Sequence, residues 1–249
     1  MLVDKTVIVT GAGSGIGCAC VKRLIREGSK IVAVDIAEEQ LKREFGGETD
    51  KFKIVVGDVA NTETADAASE TALKAFGGAH SLAHFAAAHS KLDWEQADAD
   101  EFNRIMSINV TGSFLMAKSV AKLMIKQKIS GSIVLTASGG VLMGGTGQEG
   151  RGGPAYTTSK GGILVLVRTL AKSWGQYGIR VNAISPGVVE TAMTSEYSAD
   201  AKVKAAARAA LGRISNPEEQ AAAALWLLSD EAAYITGENI NINGGAAFG

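Results

Sequence analysis

The sequence predicts an α/β fold: a single doubly wound, parallel sheet of about seven strands with helices on both faces. Three observations carry this reading. Short runs rich in Val and Ile recur at residues 7–10, 31–35, 53–57, 81–85, 132–136, 180–184 and 239–242. Most are separated by longer stretches with helical spacing of Ala, Leu and Met, at 17–27, 62–76, 102–126, 159–177 and 217–228, the alternation of βαβ units. The strand runs are apolar almost throughout, as strands buried on both faces are. No linker, charge block, composition break or fixed-period repeat divides the chain, so residues 1–249 read as one dinucleotide-binding domain.

The first run ends in Thr10-Gly11-Ala12-Gly13-Ser14-Gly15-Ile16-Gly17 and passes directly into a helical stretch. Glycines there let the chain turn sharply and bring backbone N–H groups close to a pyrophosphate at the helix N-terminus. A structural βα turn explains many such loops, but this position, between first strand and first helix, favours a Rossmann-like cofactor site. The second run closes on Asp35, eighteen residues after Gly17. A carboxylate there accepts hydrogen bonds from the adenosine ribose hydroxyls and repels a 2′-phosphate. Neither Ser14 nor Ile36 offers a cation to such a phosphate, so NAD(H) is expected over NADP(H).

The fourth run is followed by Phe85-Ala86-Ala87, and His80, His84 and His89 fall close together around it. On a strand His80 and His84 share a face but stand too far apart for one ion, and no cysteine or carboxylate cage completes a set. No metal is expected; a structural or substrate-proximal histidine is. Cys18 and Cys20, two apart on a helix, would face different sides and read as buried small hydrophobes in a reducing compartment.

Composition excludes several classes. The net charge is −1 with Lys and Arg scattered, so no basic stripe exists for nucleic acid. The longest apolar runs fall far short of the roughly 20 residues of a membrane span. A strand pattern beginning at Lys5 leaves no room for a signal peptide, and a cytoplasmic location is expected.

The remaining motifs follow in order. Asp58-Val59 comes after the third run, Asn109 lies in Ile108-Asn109-Val110-Thr111-Gly112, and Ser138 follows the fifth run. Tyr156-Thr157-Thr158-Ser159-Lys160 and Pro186-Gly187-Val188-Val189-Glu190-Thr191 come next. Tyr156 and Lys160, four apart, share one helix face. A free tyrosine has a pKa of about 10, and a neighbouring ammonium favours its phenolate, lowering that value.

Together with the Thr-Gly-x-x-x-Gly-Ile-Gly loop, these motifs resemble the short-chain dehydrogenase/reductase family over nearly the whole chain. The resemblance implies hydride transfer between NAD(H) and a secondary alcohol/ketone or diol. It places Gly11, Ser14, Gly15, Ile16 and Gly17 at the pyrophosphate, Asp35 and Ile36 at the adenosine ribose, and Asp58 and Val59 at the adenine. Phe85 and Ala86 would touch the cofactor largely through backbone, and Val189 and Thr191 would hold the nicotinamide carboxamide. Tyr156 would exchange the substrate proton, Lys160 would hold the nicotinamide ribose, Ser138 would polarise the substrate oxygen, and Asn109 would help hold a proton-relaying water. A homo-oligomer, dimer or tetramer, is expected through the long helices carrying Asn109 and Tyr156.

Two departures from the family pattern stand out. The Asn-Asn-Ala-Gly usual at the fourth strand is replaced by His84-Phe85-Ala86-Ala87, so its side-chain amides are missing and the bonding there must be rebuilt. The gap between Ser138 and Tyr156 is long. Residues 139–153 hold eight glycines with Gln148, Glu149 and Arg151. This loop and a short helical lid over 190–213, with Met193, Tyr197 and Leu211, are expected to shape the substrate pocket. Two other readings stay open. A 3-oxoacyl-carrier-protein reductase could use Lys126, Lys128 and Lys172 toward an acidic carrier, although Asp35 speaks against NADP(H). A non-catalytic NAD-binding scaffold would have no need of Asn109, Ser138, Tyr156 and Lys160.

Overall fold

A computed structural model describes residues 2–147, 152–195 and 197–249. Gln148, Glu149, Arg151 and the side chain of Met193 lie outside the described residues.

Strand β1 (Thr6–Thr10) is buried along its whole length, as its unbroken Val/Ile character requires. It pairs with β2 (Lys30–Asp35) on one side and β4 (Ser81–His84) on the other, in register Thr10↔Val34 and Thr10↔His84. With β3 (Phe52–Val56), β5 (Gly131–Thr136), β6 (Ile179–Pro186) and β7 (Asn239–Ile242) the order is β3-β2-β1-β4-β5-β6-β7, every pairing parallel. The chain winds outward from β1 to β3, then crosses back to β4. A crevice opens at that reversal, at the carboxyl edge.

Helices cover both faces. On one, α3 (Thr62–Phe76), α5 (Gly112–Gln127) and α7 (Pro154–Trp174) bury Ala68, Met116, Val120 and Ile163 against Ile8, Val32 and Ile133. On the other, α1 (Gly15–Arg26), α2 (Glu38–Phe45) and α10 (Pro217–Leu228) bury Val21, Leu24, Leu41 and Leu225 against Val7, Ile31 and Val134. Each fully buried Val, Leu or Ile contributes about 1.5–3 kcal/mol. The start of α10 is fixed by a reciprocal cap: Glu219 N donates to Asn216 Oδ1 at 2.9 Å, and Asn216 N donates to Glu219 Oε2 at 3.0 Å. No helix among the described residues is long and apolar enough to cross a membrane.

The seven expected strands and the doubly wound class are present; several boundaries differ. Helix α2 was not expected: only Leu41 is buried, and ion pairs such as Lys42–Glu38 at 2.8 Å support its wet face. The stretch expected as one helix over 102–126 is α4 (Ala99–Met106), capped by Asp98, then a π-helical turn Ser107–Thr111, then α5. Helix α7 begins at Pro154 rather than 159, because proline's fixed φ suits a first helical position. It gives way to a 3₁₀ turn at Gly175–Tyr177. Strand β4 stops at His84, one residue before Phe85. Short helices α6 (Gly140–Met143), α8 (Ala192–Ser195) and α9 (Ala199–Arg208) flank the crevice.

Candidate active site

A cavity of about 590 Å³ lies at the carboxyl edge. Its wall includes Gly11, Ser14, Gly15, Ile16, Gly17, Asp35, Ile36, Asp58, Val59, Phe85, Ala86, Ser138, Tyr156, Val189 and Thr191. Of the residues expected at the site, Asn109 and Lys160 stand behind this wall, 1% and 3% exposed.

The glycine loop is shaped by contact as well as by turning. Gly11 has φ +64°, and a Cβ there would lie 2.8 Å from Ala86 N; one on Gly17 would lie 2.1 Å from the Gly11 carbonyl oxygen. The loop is thereby pressed against the end of β4 and its own helix start. Ser14 caps α1 through extended backbone with no side-chain hydrogen bond, and the first turn holds no acid. The helix N-terminus keeps its partial positive charge toward the crevice. Asp35 accepts from Gly13 N through Oδ2 at 2.8 Å and from Ala37 N through Oδ1 at 2.9 Å, so its carboxylate is held against the loop. A cradle kept open by glycines at 11, 13, 15 and 17, free helix amides and an acid at the end of β2 fit a dinucleotide.

The strand end that lacks the usual amides is rebuilt around Thr10 and His84. Phe85 N and Ala86 N each donate to Thr10 Oγ1 at 3.2 Å. That occupies the acceptor capacity of the hydroxyl, whose proton then goes to His84 Nδ1, 2.8 Å away. His84 therefore carries its own proton on Nε2, which is buried and has no partner among the described residues. Burial, assisted by the charge of Lys160, pulls its pKa down to about 3. Thr136 Oγ1 donates to the His84 carbonyl at 2.7 Å, and Lys160 Nζ donates to the Thr136 carbonyl at 2.8 Å. A continuous chain of bonds thus joins the loop strand to Lys160.

Tyr156 stands in the first turn of α7, with Lys160 one turn on and its Nζ 5.8 Å from the Tyr156 ring centroid. Burial pushes the Tyr156 phenol up to about 12; the Ser138 hydroxyl facing it opposes this, and the nearby Tyr197 adds to it. Lys160 is pulled down to about 8 by burial. The expected lowering of the tyrosine by its lysine is not what sets its pKa here: the low-dielectric setting disfavours the charged form of both groups.

Asn109 sits in the π-turn, a local widening that frequently marks functional positions. Its Oδ1 accepts from Ala88 N at 2.8 Å, and its Nδ2 donates to the Ala88 carbonyl and to Ser159 Oγ, both at 2.9 Å. The side-chain amide ties loop to helix, and the Asn109 carbonyl accepts from Ser113 Oγ at 2.6 Å.

His89 came from the sequence only as one of three clustered histidines. It lines the cavity, its ring centroid 4.5 Å from that of Tyr156. His80 is far from it, just before β4, accepting from Thr6 N through Nδ1 at 3.1 Å. Among the described residues no three His, Cys, Asp or Glu side chains are grouped to hold a metal ion. Cys18 and Cys20 are buried free thiols. From the glycine-rich loop Gly140, Gly144, Gly145 and Gly152 reach the wall, and from the lid Tyr197, Ala201, Ala205, Arg208 and Leu211 do. Lys126 and Lys128 end α5 where it turns into the start of β5, and Lys172 lies near the end of α7, before β6. All three are at the edge of the sheet opposite the cavity.

Fold and site together define a dinucleotide-binding α/β protein. A family model described as Enoyl-(Acyl carrier protein) reductase matches residues 11–247. A 2,5-dichloro-2,5-cyclohexadiene-1,4-diol dehydrogenase of Sphingobium indicum is 38% identical, the match covering 98% of this chain and 97% of that protein. A Brucella melitensis structure titled Short-chain dehydrogenase/reductase SDR:Glucose/ribitol dehydrogenase superposes with TM-score 0.91 at 26% identity, covering 100% of this chain and 98% of that one. A 3-ketoacyl-(acyl-carrier-protein) reductase from the same organism, complexed with NADH, gives 0.89 at 28% identity, covering 100% of both. The chain belongs to the short-chain dehydrogenase/reductase family. It is an oxidoreductase of a family that binds nicotinamide cofactors.

Proposed function

We propose that this protein is an NAD(H)-dependent dehydrogenase acting on a secondary alcohol/ketone or a diol, with Tyr156 as its proton-transfer residue. The observation that carries the proposal is the meeting of Ser138 and Tyr156 on the cavity wall, with Lys160 buried directly behind. Ser138 Oγ and Tyr156 Oη would hold the substrate oxygen between them. Tyr156 Oη would take the hydroxyl proton in oxidation and return it in reduction. Bound in the crevice, NAD(H) would accept or supply the hydride. Lys160, fixed by the Thr136 carbonyl, would place its charge beneath the phenol and reach the nicotinamide ribose. Asn109, through Ala88 and Ser159, would hold the loop and helix at this spacing.

NAD(H) over NADP(H) is supported by Asp35, and by Ile36 next to it, 69% exposed and uncharged. A diol is supported by the Sphingobium indicum relative, whose name states one. The carrier-protein reading gains from the Brucella melitensis reductase, but the three lysines that would meet an acidic carrier lie away from the cavity mouth. A homo-oligomer through α5 and α7 is supported by Phe114 and Val165, exposed on those helices at 37% and 64%.

Absorbance of NADH and NADPH should be followed with a panel of alcohols, diols and ketones. Turnover with NAD(H) and a loss of about 10²–10⁴-fold in Tyr156→Phe are expected. No turnover of any substrate, or undiminished turnover in the variant, overturns the proposal.

A further inference from the structure

We propose that His89 binds a second oxygen of the substrate, so that the preferred substrate is a compact diol or hydroxyketone. The inference rests on the dehydrogenase reading above and narrows it. His89 lies on the cavity wall with its ring 4.5 Å from the ring of Tyr156, tilted by 55°. No hydrogen bond to either ring nitrogen is found among the described residues, unlike His80 and His84, each anchored through Nδ1. Its backbone is held in place instead. Asn109 grips the preceding residue, Ala88, at both N–H and carbonyl, and the next residue's carbonyl, Ser90 O, accepts from Gly153 N at 2.8 Å. The imidazole is thus delivered to the cavity by a fixed stretch of chain with its polar atoms unspent.

Its protonation state suits the task. Burial and the charges of Lys91 and Lys160 hold its pKa down at about 4, so the ring is neutral near pH 7. A neutral imidazole offers one N–H donor and one lone pair, matching a hydroxyl in either sense and a carbonyl through its donor. Much of the surrounding wall is apolar, with Met143, Val188 and Leu211. A polar group placed in such a wall is what orients a ligand. With the two ring centroids 4.5 Å apart, both polar groups belong to one short stretch of wall, which suits two oxygens carried on one compact substrate.

The test compares kcat/KM for NAD-dependent oxidation of cyclohexanol, cyclohexane-1,2-diol and cyclohexane-1,4-diol by the wild-type protein, His89→Phe and His89→Gln. Phenylalanine keeps the ring packing on Tyr156 and removes the polar atoms; glutamine keeps a donor and an acceptor without the ring. The wild type is expected to prefer a diol. The diol-to-cyclohexanol ratio should fall about tenfold in His89→Phe, mainly through KM, the loss of one neutral hydrogen bond, and recover in His89→Gln. A wild type that favours cyclohexanol overturns the inference. So does a His89→Phe protein in which both substrates decline equally, since His89 would then be supporting Tyr156. Absence of wild-type turnover on every alcohol overturns the dehydrogenase reading itself, a result distinct from an unchanged ratio.

Discussion

The buried His84 makes the stability of the fold depend on pH in a calculable way. Its pKa falls from an ordinary 6.5 to about 3, because the interior cannot solvate an imidazolium beside Lys160. Above pH 6.5 the ring is neutral in folded and unfolded chains alike and the stability it permits is complete. Below that, the unfolded chain takes up a proton that the folded chain refuses, so stability is lost as pH falls from 6.5 toward 3. The slope is about 1.4 kcal/mol per pH unit, and the full interval corresponds to about 5 kcal/mol. His84→Asn isolates this effect. Its Oδ1 can still accept from the Thr10 hydroxyl, but nothing at the position titrates. Free energies of unfolding from urea titrations at pH 7.5, 6.5, 5.5 and 4.5 would be compared for the two proteins. Carboxylates and the other histidines contribute equally to both and cancel. The advantage of the wild type should be constant down to pH 6.5 and then shrink by about 3 kcal/mol by pH 4.5. Parallel curves across that range would refute a neutral, proton-excluding His84.

Other perturbations have equally definite outcomes. Lys160 shows the same physics in alkali: with its pKa lowered from 10.5 to about 8, the unfolded chain binds the extra proton between those values. Wild-type stability should therefore rise relative to Lys160→Met by about 3 kcal/mol from pH 8 to 10.5, read from urea midpoints. Gly17→Ala places a methyl 2.1 Å from the Gly11 carbonyl oxygen, so a backbone atom must move. It should cost about 1–3 kcal/mol in thermal unfolding and abolish the quenching or enhancement of NADH fluorescence on binding. Asp35→Asn keeps an acceptor for Gly13 N while removing the charge. The NADPH-to-NADH ratio of kcat/KM should rise by about tenfold or more, and an unchanged ratio would count against the assigned preference. Removing the exposed rings and methyls with Phe114→Ser and Val165→Ser should lower the mass seen in sizing with light scattering if α5 and α7 form the interface.

What the sequence discloses follows the range over which each force acts. The strands are legible because runs such as Thr6–Thr10 are buried from end to end and so must be apolar from end to end. The glycine loop and Asp35 are legible because one local turn needs both the conformation and the spacing. Helix α2 was missed because a single buried residue, Leu41, makes no periodic stripe. The π-turn at Asn109 leaves the apolar spacing of the flanking helices almost unchanged, so it passes for ordinary helix. Residues 74 apart give His84 its Thr10 partner, and no local pattern records such a pairing. The direction of the Tyr156 shift escaped for a related reason: spacing brings Lys160 onto its face, whereas burial, which decides the sign, belongs to the whole assembly.

The amide of Asn109 has a consequence for how such a protein can change. Because one side chain clasps both Ala88 and Ser159, the loop that presents His89 is tied directly to the helix that presents Tyr156. Met143, Tyr197 and Leu211 belong to other segments and stand outside that clasp. Replacing Met143 or Leu211 would remodel the chamber without touching that clasp. A lineage built this way can try new substrates one wall at a time, with its chemistry kept in escrow.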